Sequence, residues 1–329
     1  MKLEIRREDP LNILSSTKSI VEDLNFLSIN ESKLDPVSRR VIERLKTGLE
    51  SLEEAFGTTG SYIDDVQLIF IEDTLNFCFW AEKDRPKWSI EWPAGQITSG
   101  GWYSLKKCFE RALANNIPIL DADYLSNLTL DSVREFFKGI NNIEIPLISR
   151  RLENLIEAGS ILKEKYNGHF INVLKESDYD AIKLVKIIYG NFPSSRDTVN
   201  LDGKEVYFLK RAQICANDLS YLSKEGNGKA IKNLDLLTAF SDYKLPQIFR
   251  AFGVFEYSRE LSEMVDDYTL IPAGSRQEIE IRSAAIWAVE LIRQRLAKYN
   301  SCEIDNALWL ISQNQSGLKP HHRTYTIFY

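Results

Sequence analysis

Segment after segment of this 329-residue chain repeats its apolar residues at helical spacing and then stops at a proline or glycine signal, which points to a mainly helical fold. Trp102 to Asn115 predicts an amphipathic helix that Ile117-Pro118 ends, because the residue before a proline is pushed out of the helical region. Leu128 to Lys138 and Leu147 to Tyr166 predict two more. The second buries Leu152, Leu155, Ile156 and Leu162 and finishes at Asn167-Gly168, where a left-handed cap is cheap. Ala181 to Tyr189 is stopped by Phe192-Pro193. Arg276 to Lys298 predicts a long helix with Ala285, Val289, Ile292 and Leu296 turned inward and Glu278 paired with Arg282 at i, i+4. Asp305 to Ile311 adds a further helical turn.

The extended pieces are short. Val66 to Trp80 is rich in β-branched and aromatic residues and is expected to begin as a strand. Trp88 to Gly101 reads as a hairpin or ordered loop, Asn200 to Gly203 as a turn between two extended pieces, and Thr324 to Tyr329 alternates like a closing strand. Met1 to Leu52 is charged and helix-prone, with Ile42, Leu45, Leu49 and Leu52 forming an apolar stripe, so two or three helices are expected to cap the main body. The turn chemistry of Gly57 to Tyr62 suggests a soft boundary, giving a helical cap over 1–56 and a main domain over 57–329, or one continuous domain. The fold class is mainly α with small β elements.

Charge restricts the partners. Forty-one basic against forty-seven acidic side chains leave a net charge of −6, whereas binding to the phosphates of a duplex calls for a basic excess or a dense basic stripe. Long nucleic acid is therefore not expected, while a single nucleotide needs only one or two cations. Cys78, Cys108, Cys215 and Cys302 are scattered, and MKLEIRREDP has no apolar signal region, which fits a reduced, cytoplasmic compartment. His169, His321 and His322 have no ligand spacing to the cysteines, so neither a metal nor a cofactor is expected.

The stretch Phe208 to Tyr257 concentrates the chemistry. Asp242 stands between Phe240 and Tyr243, just ahead of Lys244-Leu245-Pro246, and a carboxylate in such surroundings is costly to bury unless it is paired or functional. Upstream, Val206 to Leu222 predicts a helix whose second face carries Lys210, Gln213 and Asn217. One cation and two amides suit a phosphate or a polar heterocycle, and equally a solvated helix face. Trp80, Trp88, Trp92 and Trp102 offer either a stacking wall or ordinary core, and Thr98 to Gly101 could present backbone N–H groups to an anion.

Gly203 to Gln213, Leu236 to Gln247, Glu278 to Glu290 and His321 to Tyr329 together resemble the queuosine salvage protein family. The resemblance continues upstream through Leu75 to Trp80, Gly101 to Ala112, Ile117 to Tyr124 and Phe192 to Asp197, so it covers roughly Leu75 to the C-terminus. It implies a fold like the helix-hairpin-helix DNA glycosylases and hydrolysis of the N-glycosidic bond of queuosine 5′-monophosphate, releasing queuine and ribose 5-phosphate. Asp242 matches the family aspartate that acts as nucleophile or transition-state stabiliser. The chemistry agrees, since cleavage at C1′ builds positive charge on the sugar and a 7-deazaguanine has no N7 to protonate. Phe240 and Tyr243 are expected against the ligand, and Asp305 opposite the secondary amine of queuine. Lys210 is the candidate for the 5′-phosphate, with Arg211 in reserve and Gln213 beside it. Asn306 departs from the aromatic residue expected there, and Leu310 to Ser312 lacks the expected acidic one.

Asp197 is read as a supporting or capping residue, and His321, His322 and Arg323 as a solvated basic approach. Two other functions compete. A helix-hairpin-helix DNA repair glycosylase would use the Gly226-Asn227-Gly228 turn, against which Glu225 and the acidic balance argue. A non-catalytic module would bind a queuine-type ligand and release nothing.

Overall fold

The computed structural model describes residues 2–49, 55–224 and 229–329. Leu52 of the N-terminal stripe, Glu225 and the Gly226-Asn227-Gly228 turn lie outside the described residues. Helices α1 (Ile13–Glu22) and α2 (Leu34–Lys46) flank the short strand β1 (Leu27–Ile29), and α3 (Tyr62–Thr74) leads to a hairpin of β2 (Ser89–Glu91) and β3 (Ile97–Ser99). Five helices follow: α4 (Gly101–Ala114), α5 (Ala122–Ser126), α6 (Leu130–Phe136), α7 (Ile148–Tyr166) and α8 (Phe170–Glu176). After α9 (Ala181–Asn191) comes a second hairpin, β4 (Thr198–Leu201) and β5 (Lys204–Tyr207), then α10 (Lys210–Lys224) and α11 (Lys244–Ala251). The chain closes with β6 (Phe255–Tyr257), α12 (Arg259–Asp266), α13 (Arg276–Arg295) and α14 (Ser301–Asn314).

The molecule is mainly helical with small antiparallel sheets, as the periodicity predicts, and both hairpins fall where the turn chemistry puts them. Asn167 takes the left-handed conformation (φ 51°) at the end of α7, as its Asn-Gly signal requires. The third sheet joins distant parts of the chain: β1 pairs antiparallel with β6, Leu27 opposite Tyr257 and Ile29 opposite Phe255. Helix α13 runs through the core and is buried on nearly every side from Glu278 to Glu290, with α1, α2, α11 and α14 packed around it. Gly159 lets α7 meet α5, since a Cβ there would stand 2.6 Å from the amide nitrogen of Ser126. No helix among the described residues is long and apolar enough to cross a membrane.

Three expectations need correction. Val66 to Thr74 lies in α3 instead of opening a strand; every one of those residues is buried, so no polar face marks the 3.6-residue period, and Ser61 caps the helix by accepting from the Asp64 amide. Val206 belongs to β5, and the helix expected from it starts only at Lys210, after Leu209 turns left-handed (φ 53°). Thr324 to Tyr329 forms no ladder: Arg323 bridges Leu270, and the Tyr329 carbonyl accepts from the Cys78 amide at 2.9 Å. The expected pair of Glu278 with Arg282 is present at 3.8 Å, and the same guanidinium is held more closely by Asp197 at 2.6 Å.

Candidate active site

Asp242 ends the loop before α11. Its Oδ1 accepts from the amides of Lys244 (2.6 Å) and Leu245 (3.2 Å), which ties the carboxylate to the first turn of the helix; its Oδ2 accepts no hydrogen bond among the described residues. The same loop is fixed from below. The Phe240 amide donates to Asp305 Oδ2 (2.7 Å), and Ser241 exchanges hydrogen bonds with Arg282, Oγ donating to its carbonyl and its Nε donating to the Ser241 carbonyl. Arg282 is held by Asp197 at 2.9 and 2.6 Å, and Asp197 Oδ2 also accepts from the Lys210 amide at 3.1 Å. One buried ion pair thus sets both the start of α10 and the Asp242 loop, the supporting role expected of Asp197.

The segment after α3 is irregular and buried, so its carbonyls need donors. Cations supply them. Arg151 donates to the carbonyls of Leu75, Phe77 and Cys78, Arg211 to those of Thr74 and Ser194, and Lys210 Nζ to that of Asn76 at 3.0 Å. This holds Asn76 at the inner wall of a partly open cavity.

Phe56, Trp102, Phe240 and Trp309 make the aromatic walls of that cavity, and Asn76, Lys210, Asp218, Asp242, Asp305 and Asn306 its polar positions. Trp102 meets Trp309 edge-on with ring centres 6.1 Å apart, and Lys106, paired with Glu72 at 2.8 Å, lies over Phe56 and Trp102. Burial pushes the Asp242 carboxyl up, while Lys210 and the two amides hold it down. Burial lowers Lys210, opposed by Asp242 and Asp73. Burial raises Asp218 to about 7, and burial together with the charge of Asp242 raises Asp305 to about 8. The cavity therefore holds one carboxylate secured by amides and a lysine, beside two carboxyls that keep protons near neutral pH.

Of the expected residues, Asp242, Phe240, Lys210, Asp305 and Asn306 line this cavity together. Arg211 and Gln213 do not reach it. Arg211 is spent on main-chain carbonyls, and Gln213 bridges the Phe208 carbonyl to the Thr238 amide and hydroxyl. Tyr243 turns the other way and stacks on His321 at 4.4 Å. Asn306 donates to the Tyr221 hydroxyl at 2.9 Å. Trp102 lines the cavity, whereas Trp88 is core, its Nε1 donating to the Phe137 carbonyl.

Sequence reasoning missed Phe56, Asn76, Ile214, Asp218 and Trp309. A signal for two of them existed: Lys210, Ile214 and Asp218 recur at i, i+4, i+8, and that stripe of α10 faces the cavity, while Gln213 and Asn217 do not line it.

The raised carboxyls set a pH dependence. Asp218 and Asp305 have an ordinary value of 3.8 and folded values of about 7 and 8, so between those limits the folded protein holds protons the unfolded chain has released. Their contribution is whole below the unfolded value and is lost as pH rises through the folded ones. The melting temperature of the wild type minus that of Asp305→Asn is expected to fall between about pH 5 and about pH 8 and to level above. A difference that stays flat in thermal melts across this range would show that Asp305 ionises in the folded protein like an exposed acid.

A family model described as queuosine salvage protein matches residues 59–329. A protein of Sphaerobacter thermophilus named queuosine 5′-phosphate N-glycosylase/hydrolase is 36% identical over 326 residues, covering 98% of each chain. Proteins of the same name from Bos taurus (38% over 281 residues, 80% of this chain and 81% of that one) and Dictyostelium discoideum (30% over 343 residues, 98% and 100%) are also similar. With the match running from the loop before α3 to the last residue and taking in every side chain that holds Asp242, the chain belongs to the queuosine salvage protein family.

Proposed function

We propose that the chain hydrolyses the N-glycosidic bond of queuosine 5′-monophosphate, releasing queuine and ribose 5-phosphate. The observation that supports this best is the position of Asp242 in an aromatic-walled cavity, one oxygen fixed by two amides and the other without a protein donor among the described residues. As the bond from C1′ to the base stretches, the sugar becomes an oxocarbenium ion, and the open oxygen of Asp242 offers it a fixed negative charge or a bond to C1′. Lys210 opposes the rise that burial imposes on the Asp242 carboxyl. Phe240 and Trp102 stack on the deazaguanine, and Asp305 meets the secondary ammonium of the queuine side chain, which would draw off its proton. The departures at Asn306 and Leu310 to Ser312 bear on the base edge and leave the sugar chemistry untouched. The order α10, Asp242, α11 accords with a helix-hairpin-helix glycosylase-like fold, which we include in this reading.

The test is incubation with queuosine 5′-monophosphate, queuosine and guanosine 5′-monophosphate side by side, following free base by chromatography. Release of queuine, and none of guanine, is the expected result. No free base from any of the three would leave a ligand-binding module in its place.

A further inference from the structure

The loop that carries Asp242 is pinned along its main chain. Arg282 donates to the Ser241 carbonyl, while Asp305 accepts from the Phe240 amide and Gln213 from the Thr238 amide. The next anchor upstream comes from the other end of the chain: Arg7 Nη1 donates to the carbonyls of Asp235 (2.7 Å) and Leu237 (2.9 Å). Leu237 is fully buried, and Arg7 is the one donor its carbonyl has among the described residues. Arg7 lies in the irregular arm before α1, outside the stretch that the family model matches.

The same guanidinium reaches two more elements. Its Nη2 donates to the hydroxyl of Ser301, the first residue of α14, at 3.4 Å. Its Nε stands 3.1 Å from Oε2 of the buried Glu290 on α13, a charge contact outside hydrogen-bond geometry. Helix α14 brings Asp305, Asn306 and Trp309 to the cavity, and the pinned loop brings Phe240 and Asp242. One side chain thus ties these two walls to each other and to α13. A guanidinium suits the task, because its planar fork donates in several fixed directions at once, which an ammonium on a flexible stem does not reproduce. The arm itself is anchored on both sides of Arg7. Leu3 is buried and its amide donates to Glu22 at 2.9 Å, the Glu4 carbonyl accepts from Gln294 at 3.1 Å, and Asp9 accepts from the amides of Ile13 and Ser15 at the start of α1.

We propose that Arg7 is a positioning residue for the reaction, holding the Asp242 loop in register with α14 so that Asp242 and Asp305 meet one ligand from two separate elements. The proposal rests on the reading of Asp242 as the residue beside C1′. Arg7 does not line the cavity and acts through the main chain of Asp235 and Leu237. Catalytic geometry tolerates little displacement: a shift of about 1 Å can cost on the order of a hundredfold in rate, even when its cause lies far from the chemistry. The N-terminal arm thereby becomes part of what supports the site.

The test uses Arg7→Gln and Arg7→Lys in the full chain. Lysine keeps a charge opposite Glu290 and loses the fork, so it separates positioning from charge neutralisation. In both variants kcat for queuine release is expected to fall roughly tenfold or more. The amides of residues 236–242 should exchange hydrogen with solvent roughly tenfold faster, while those of α7 keep the wild-type rate. Wild-type kcat and exchange in Arg7→Lys would mean that Arg7 only neutralises Glu290, and would overturn the proposal. Exchange that quickens throughout, α7 included, would show general loosening and overturn it too. So would exchange at 236–242, or kcat, that is unchanged in both variants. Hydrogen exchange also separates this proposal from the proposed reaction. If the wild type releases queuine from no substrate, yet exchange quickens in both variants at 236–242 and not in α7, the reaction is wrong and Arg7 still sets the loop.

Discussion

Asp242→Asn is expected to reduce queuine release roughly a thousandfold while leaving the melting temperature close to that of the wild type. Asparagine keeps an oxygen for the amides of Lys244 and Leu245, and Asn and Asp are about equal as caps, so the start of α11 survives. What disappears is the negative charge beside the sugar. Asp242→Ala removes the cap as well and should cost about 1 kcal/mol of stability in addition. The pair of variants separates the two roles open to a carboxylate in this position. If Asp242 only caps the helix, the asparagine variant keeps its activity, and a chromatographic assay showing wild-type release from it would end the catalytic assignment.

Arg282→Met should have the largest effect on stability. It leaves Asp197 buried without its partner, and breaking such a pair costs about 3–5 kcal/mol, which in a chain of this size lowers the melting temperature by roughly 4–7 °C. The loss reaches the site, because Asp197 holds the Lys210 amide and Arg282 holds the Ser241 carbonyl. Replacing both partners in Asp197→Leu/Arg282→Met removes the stranded charge and should recover part of the stability but little of the turnover. Thermal melts and initial rates on the three proteins decide it. A single variant that melts with the wild type would mean that the pair contributes nothing to the fold.

Much of the architecture is legible in the chain itself. The long amphipathic helices α4 and α7 announce themselves because each has one apolar and one polar face, and both small hairpins follow from turn residues. Helix α3 fails that test for a physical reason: from Asp65 to Thr74 it is buried on every side, and a helix without a wet face has no period to read. The closing segment Thr324 to Tyr329 alternates like a strand, yet its Tyr329 carbonyl accepts from the Cys78 amide and Thr324, Thr326 and Tyr329 are buried with no neighbouring ladder among the described residues.

The site divides in the same way. Local sequence singles out Asp242, Phe240 and Lys210, because a carboxylate among aromatics and a cation at the head of an apolar helix stand out against their neighbours. Phe56, Asn76, Asp218 and Trp309 carry no such mark, since each comes from a different segment and only packing brings them around one space. The sequence by itself determined the family and the helical class, and it singled out Asp242, which the structure places in the cavity wall. The tertiary structure decided which stripe of α10 faces the cavity and that Arg211 and Gln213 serve the backbone. These are outcomes of burial and convergence, and both depend on distances between residues far apart in the chain, which no local pattern encodes.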